Sequence, residues 1–188
     1  MAAQRGYAFS EGEPLRRSYI HIYTGSGEGK TLTAVGAAVR AIGHGFNVVI
    51  VQFMKGRKDV GEYIALKQLK PRCRIYQFGR REFVDLENPH VVDYELARAG
   101  LEFAQKIVKR RKPDVLILDE LNLAVAIGLL KIEDVLRLLE EAKDCMLIVL
   151  TGRRAPRELV EKADLVTEMH EVKHPLKTGI NARKGIDY

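Results

Sequence analysis

Residues 18–32 read SYIHIYTGSGEGKTL, and this stretch restricts the fold more than any other. Tyr19–Thr24 is rich in β-branched and aromatic residues and predicts a strand. Gly25, Ser26, Gly27, Glu28 and Gly29 form a glycine-rich loop that runs into Lys30 and Thr31. Leu32–Ala41 predicts a helix. A Gly-Lys-Thr loop between a strand and a helix predicts a phosphate-binding loop. Glycines let backbone amides close around anionic oxygens. The helix N-terminus adds unpaired N–H groups and the positive end of its dipole. Lys30 brings an ammonium to the phosphates, and the Thr31 hydroxyl suits a Mg²⁺ bridging them. The strict pattern G-x-x-x-x-G-K-[ST] is missed by one residue, because its first glycine falls on Thr24. The alternative is an ordinary glycine turn with an exposed lysine.

Downstream, strand and helix patterns alternate. Asn47–Met54 is a continuous apolar run, the pattern of a strand buried on both faces of a parallel sheet. Gln52 and Lys55 stand near its carboxyl end, where such sheets bind ligands. Gly61–Leu69 predicts a short helix and Cys73–Phe78 a strand. A polar loop follows at 79–89. His90–Arg111 predicts an amphipathic helix with Val92, Leu96, Ala99, Phe103 and Ile107 on its inner face. Its basic end, Lys109–Lys112, complements the helix dipole. Val115–Glu120 and Cys145–Leu150 are buried-strand patterns, and Leu165–Met169 is a last strand. Helices are expected at 123–130, at 132–142 and after Pro156. The whole predicts an α/β, single-domain P-loop NTPase (RecA-like) fold, a mostly parallel sheet with helices on both faces. Residues 1–17 are expected to be a flexible arm on which Tyr7, Phe9 and Leu15 offer docking groups. Residues 18–188 form the domain.

Length and composition fit that plan. The 188 residues suit one core, and 46% apolar residues exclude a disordered chain. A net charge of +6 suits polyphosphates, nucleic acids or acidic lipids alike. The charges are spread along the chain, and no aromatic–basic interleaving marks a nucleic-acid face. Cys73 and Cys145 lack zinc spacing and read as buried thiols of a reducing compartment. No apolar run is long enough to span a bilayer, and the N-terminus lacks a signal-peptide core, so a cytoplasmic protein without a membrane role is expected.

A second motif complements the loop. Val115–Glu120 is an apolar strand ending in Asp119 and Glu120, as in a Walker B strand, which places carboxylates opposite Thr31 to hold Mg²⁺. Taken with TGSGEGKT (24–31), RAIGHG (40–45), VVIVQFMKG (48–56), VLILDELN (115–122), TGR (151–153), ADLVTEM (163–169) and the GIDY ending at Tyr188, the chain resembles the P-loop ATP:corrinoid adenosyltransferases. The resemblance runs from about residue 18 to residue 188. It implies that Co(I) of a reduced corrinoid attacks the ribose C5′ of ATP and displaces triphosphate, with no protein nucleophile. Lys30 would stabilise the leaving group. Thr31, Glu120 and Asp119 would hold Mg²⁺ (or Mn²⁺). Gln52, Lys55, Phe83 and Arg153 would contact nucleotide or corrinoid. A reductase supplying electrons and a homodimer are implied as well.

Three departures from the family pattern stand out. Glu28 replaces a usual lysine, and Leu32 a usual Thr or Ser. Gly79–Phe83 replaces an aromatic loop of Gly-Phe-Thr-Trp type that lies against the corrinoid, leaving Phe83 as its only aromatic. The competing readings are another P-loop ATPase or small-molecule kinase, and an ATP-switched nucleic-acid-binding protein.

Overall fold

The computed structural model describes residues 18–188; the predicted arm at 1–17, with Tyr7, Phe9 and Leu15, lies outside the described residues. Strands β1 (Tyr19–Thr24), β2 (Val48–Phe53), β3 (Cys73–Phe78), β4 (Val115–Asp119), β5 (Leu147–Thr151) and β6 (Leu165–Glu168) form one sheet in the order β3-β2-β4-β5-β1-β6. Every pairing among them is parallel, which sharpens the expected mostly parallel sheet. Helices α1 (Lys30–Gly43) and α2 (Gly61–Gln68) cover one face. Helices α3 (Val91–Arg111), α4 (Leu121–Ala126), α5 (Ile132–Glu141) and α6 (Arg157–Lys162) cover the other.

The two faces explain the apolar runs. In β2, Val49, Val51 and Phe53 join the core under α3–α6, while Val48 and Ile50 join the core under α1 and α2. In β4, Leu116 and Leu118 face the first core and Val115 and Ile117 the second. Residues alternate sides, yet both sides are dry, so the strands read as unbroken apolar sequence. Cys73 and Cys145 are buried free thiols, and burial pushes both up to about 11. Among the described residues, no helix is long and apolar enough to cross a membrane.

The inner face of α3 differs from the periodicity reading. Asp93, Ala97, Gly100, Leu101, Ala104, Ile107 and Val108 are buried, whereas Val92 and Ala99 are exposed. Packing distance outweighs side-chain size here. A Cβ at Gly100 would lie 3.0 Å from the side chains of both Phe53 and Phe78, so small residues let the helix settle onto the sheet. Asp93 is buried because it is paired. Arg80 donates to it through Nε (2.8 Å) and a terminal nitrogen (3.0 Å), and the His90 N–H at the helix start donates a third bond (3.0 Å). The α4 helix is shorter than the expected 123–130. The chain turns through Gly128 at positive φ, which returns Leu129 and Leu130 to the core.

Candidate functional site

The carboxyl ends of β1, β2, β4 and β5 meet at one edge of the sheet, where an open α/β sheet presents its crevice. After β1 the chain enters the glycine loop. Gly25 takes φ 94°, and a Cβ there would collide with the Met169 carbonyl, so glycine is required. Gly27 N–H donates to that same carbonyl at 2.7 Å, which ties the loop to the chain just after β6. Gly29 caps α1 without a side-chain hydrogen bond, leaving the first amides of the helix for an incoming anion. Lys30 is 7% exposed. Its ammonium folds back onto the Gly25 and Gly27 carbonyls, contacts that an anion in the loop would replace. Burial lowers the Lys30 ammonium, against the pull of Glu120.

Below the loop, a polar row crosses four strands at one level. Register sets Gln77 beside Gln52, and Gln52 beside Asp119. Gln77 donates to Gln52 (3.0 Å), and Gln52 donates to Asp119 Oδ2 (2.9 Å). From β5, the Thr151 hydroxyl donates to Asp119 Oδ1 (2.6 Å) and accepts the Glu120 N–H (2.9 Å). Two more groups meet this row, Thr31 from the first turn of α1 and Lys55 from the loop after β2. The Thr31 hydroxyl donates to Asp119 Oδ1 (3.0 Å). The Lys55 ammonium donates to both Thr31 Oγ1 (2.9 Å) and Asp119 Oδ2 (2.7 Å). Asp119 therefore accepts four hydrogen bonds, about the full capacity of a carboxylate. Burial alone would raise its pKa, but the Lys55 charge holds it below the usual carboxylate range. Lys55 is likewise opposed by burial and raised by Asp119 and Glu120.

Glu120 differs from its neighbour. It sits at φ 62°, a left-handed conformation uncommon for a non-glycine residue. Burial, with the Asp119 charge adding, pushes its carboxyl above the usual range. No described residue hydrogen-bonds its side chain, which lines the cavity beside Lys30 and Arg153. Met54, just before Lys55, is also left-handed, at φ 56°. The backbones at Lys55–Gly56 and Gly79–Arg80 are pressed together so closely that neither glycine admits a Cβ.

The cavity over these groups measures about 530 Å³, in the range of small-molecule sites. The structure brings Gly27–Thr31, Lys55, Glu120 and Arg153 to it; Ser26 is exposed on the outer side of the loop. Gln52 is 1% exposed and lies behind Asp119, so it faces the carboxylate and not the cavity. Phe83 is 94% exposed and is not among the lining residues. Thr151 and Gln77 escaped the sequence reading because their roles depend on cross-strand register. Glu62 and residues 185–188, which complete the wall, come together only in three dimensions. Tyr188 is held by the Arg57 guanidinium, 4.9 Å from its ring centre. Glu28 meets His174, whose Nε2 lies 2.7 Å from Glu28 Oε1. His174 Nδ1 accepts from Leu176 N–H, so Nε2 carries the proton and donates.

The donor set fits a divalent cation. Thr31 Oγ1 and Asp119 already hold a positive charge between them, the Lys55 ammonium, and the Glu120 carboxylate stands open nearby. Oxygen donors of this kind suit Mg²⁺.

A family model described as ATP:corrinoid adenosyltransferase BtuR/CobO/CobP matches residues 16–188. The chain belongs to that family. It is 36% identical to the corrinoid adenosyltransferase of Escherichia coli strain K12, over 92% of this chain and 86% of that protein. It is 34% identical to the corrinoid adenosyltransferase CobA of Salmonella typhimurium strain LT2, over the same shares. A relative of the same name from a Sinorhizobium species shares 34% identity over 92% of this chain and 81% of that protein. Among solved structures, the flagellar accessory protein FlaH of Methanocaldococcus jannaschii aligns with TM-score 0.52 at 15% identity. The match covers 80% of this chain and 70% of that one, and it speaks for the fold alone.

Proposed function

We propose that this adenosyltransferase moves the 5′-deoxyadenosyl group of ATP to Co(I) of a reduced corrinoid, acting as a single domain over residues 18–188. The observation that carries the reading is the uncapped glycine loop with Lys30 on its floor, sharing one cavity with Thr31 and Glu120, and with Asp119 hydrogen-bonded to Thr31 just beneath.

The Co(I) electron pair forms the Co–C5′ bond while the C5′–O bond breaks, and triphosphate leaves with that bond's electrons. Charge grows on the leaving group and not on a protein atom, so the chain needs no nucleophile. The loop amides of 25–31 and the Lys30 ammonium receive the triphosphate, a preorganised set that costs little rearrangement. Bound Mg²⁺ (or Mn²⁺) would neutralise phosphate charge, held by Thr31, Glu120 and Asp119. Gln52 and Thr151 orient Asp119. Arg153 and the wall at 185–188 border the remaining space, available for nucleoside or corrinoid. A homodimer, a separate reductase that makes Co(I), and a cytoplasmic setting complete the proposal.

The test is anaerobic: chemically reduced corrinoid plus MgATP, following the spectrum of the adenosylated product and identifying the phosphate released. Stoichiometric triphosphate is expected. ADP would instead mean phosphoryl transfer, and nucleic-acid-dependent ADP release a switch protein.

A further inference from the structure

We propose that Lys55 is an exchangeable cation: its ammonium occupies the divalent-metal position between Thr31 and Asp119, and metal entry releases it toward the bound polyphosphate. This rests on the reading of Thr31, Asp119 and Glu120 as the metal-facing oxygens.

The geometry makes the exchange necessary. Lys55 Nζ lies 2.9 Å from Thr31 Oγ1 and 2.7 Å from Asp119 Oδ2. Asp119 has four donors on two oxygens, so a metal gains a lone pair on it only by displacing one of them. Gln52 and Thr151 are fixed by strand register and are 1% and 0% exposed, and Thr31 is held in the first turn of α1, so none of the three yields. Lys55 does. It is on a loop, its side chain is 28% exposed, and four methylenes connect Nζ to the backbone.

Electrostatics point the same way. Without any cation, Asp119 would be a buried, unpaired carboxylate beside a second one on Glu120, an unfavourable arrangement. Lys55 supplies one positive charge in the empty site. When a divalent ion arrives with a polyphosphate, that charge becomes surplus at Asp119 and useful at the phosphates, since both Lys55 and Lys30 line the same cavity. The backbone contact of Lys55–Gly56 with Gly79–Arg80 fixes the root of the side chain, so the head swings while the stem stays. Lys55 is thus a positioning residue for the metal and a binding group for the leaving group, in alternation.

The experiment uses the full chain without nucleotide or corrinoid, with Mn²⁺ as the probe and free Mn²⁺ read by electron paramagnetic resonance. Lys55→Met removes the competing ammonium, and Mn²⁺ binding should tighten at least tenfold over wild type. Binding of magnesium tripolyphosphate should weaken in the same variant. Opposite signs in the two titrations are the signature; Mn²⁺ binding unchanged or weakened by Lys55→Met overturns the exchange. Because removing Lys55 exposes Asp119 to an unpaired state, the wild-type protein gives a second readout. A pulse of amine-acylating reagent, read by mass spectrometry, should modify Lys55 several-fold faster after Mg²⁺ is added, with Lys143 as an unaffected standard. Equal Lys55 labelling with and without Mg²⁺ also overturns it. Neither readout uses adenosyl transfer, so failure of the proposed reaction in the anaerobic assay would be seen separately.

Discussion

The glycine loop with Asp119 and the loop at 79–89 flank the same strand ends but are built differently. Around Asp119, side chains from two strands, one loop and the first turn of α1 converge on one buried carboxylate, every donor within 3.0 Å. The 79–89 loop is anchored through its backbone at Gly79 and through Arg80 on Asp93, while Phe83 stands 94% exposed. One region is closely bonded before any ligand arrives, and the other is a tethered but open surface. A triphosphate has the same charge and shape in every molecule of ATP, so its receptor can be rigid. The departures of this chain from its family at 79–83 fall on the open surface.

The comparison can be broken most directly at Lys30. Lys30→Ala should lower kcat on the order of 10²–10³-fold, as loss of a donor to developing charge does, with the fold intact by circular dichroism. Near-normal kcat in a folded variant would remove Lys30 from leaving-group stabilisation. Glu120→Ala should reduce Mg²⁺-dependent activity about 10–100-fold, the scale of losses around a metal site. Asp134→Ala is the control, because among the described residues Asp134 pairs only with Arg137 on α5. Equal effects from the two would leave Glu120 as a strand-end acid.

Asp93→Asn tests the tether of the second region. The Arg80 hydrogen bonds, with the His90 N–H and against burial, hold the Asp93 carboxyl below the ordinary aspartate range. A depressed folded-state pKa gives stability that is present above the unfolded value, near pH 3.9, and is lost as pH falls through the folded value. The variant should therefore melt several degrees below wild type at pH 7, and the gap should begin to close as pH falls below about 3.9. A pH-independent gap would show that the ion pair is not what anchors the loop. Phe83→Ala should have the smallest effect on stability, within about 0.5 kcal/mol for so exposed a ring. Its activity is expected to fall several-fold only when the corrinoid starts as Co(II) carrying its lower base. An apolar ring at the axial position favours four-coordinate cobalt, which accepts an electron more easily. Equal losses from Co(II) and Co(I) would give Phe83 no part in keeping the axial position free.

The same contrast explains what could be read in the sequence. Strands Tyr19–Thr24 and Cys73–Phe78 match their expected bounds, because β-propensity and flanking turns are local signals. Lys30, Thr31 and Asp119 were legible because they sit in short motifs with a chemical reason for each residue. Gln77 and Thr151 were not, since their bonds depend on which strands are neighbours. The buried side of α3 was misjudged at Gly100, where the absence of a side chain is the packing device and leaves no apolar signal. The saturation of Asp119 by Lys55 was equally invisible, because a strand-end lysine looks the same whether its head meets solvent or a carboxylate.

The strand order also governs when the nucleotide cavity comes into being. β1 stands between β5 and β6, pairing Tyr19 with Leu147 and His21 with Leu165, partners more than half the chain away. The glycine loop that follows β1 is synthesised early, yet the strands that hold it come late. Contacts so distant in sequence carry a loop-closure cost before they return any stability, which slows folding. β2, β3 and β4 are neighbours both in the sheet and in sequence, whereas both partners of β1 come late in the chain. A ligand seated in the glycine loop would therefore act on the finished sheet, by resisting its reopening.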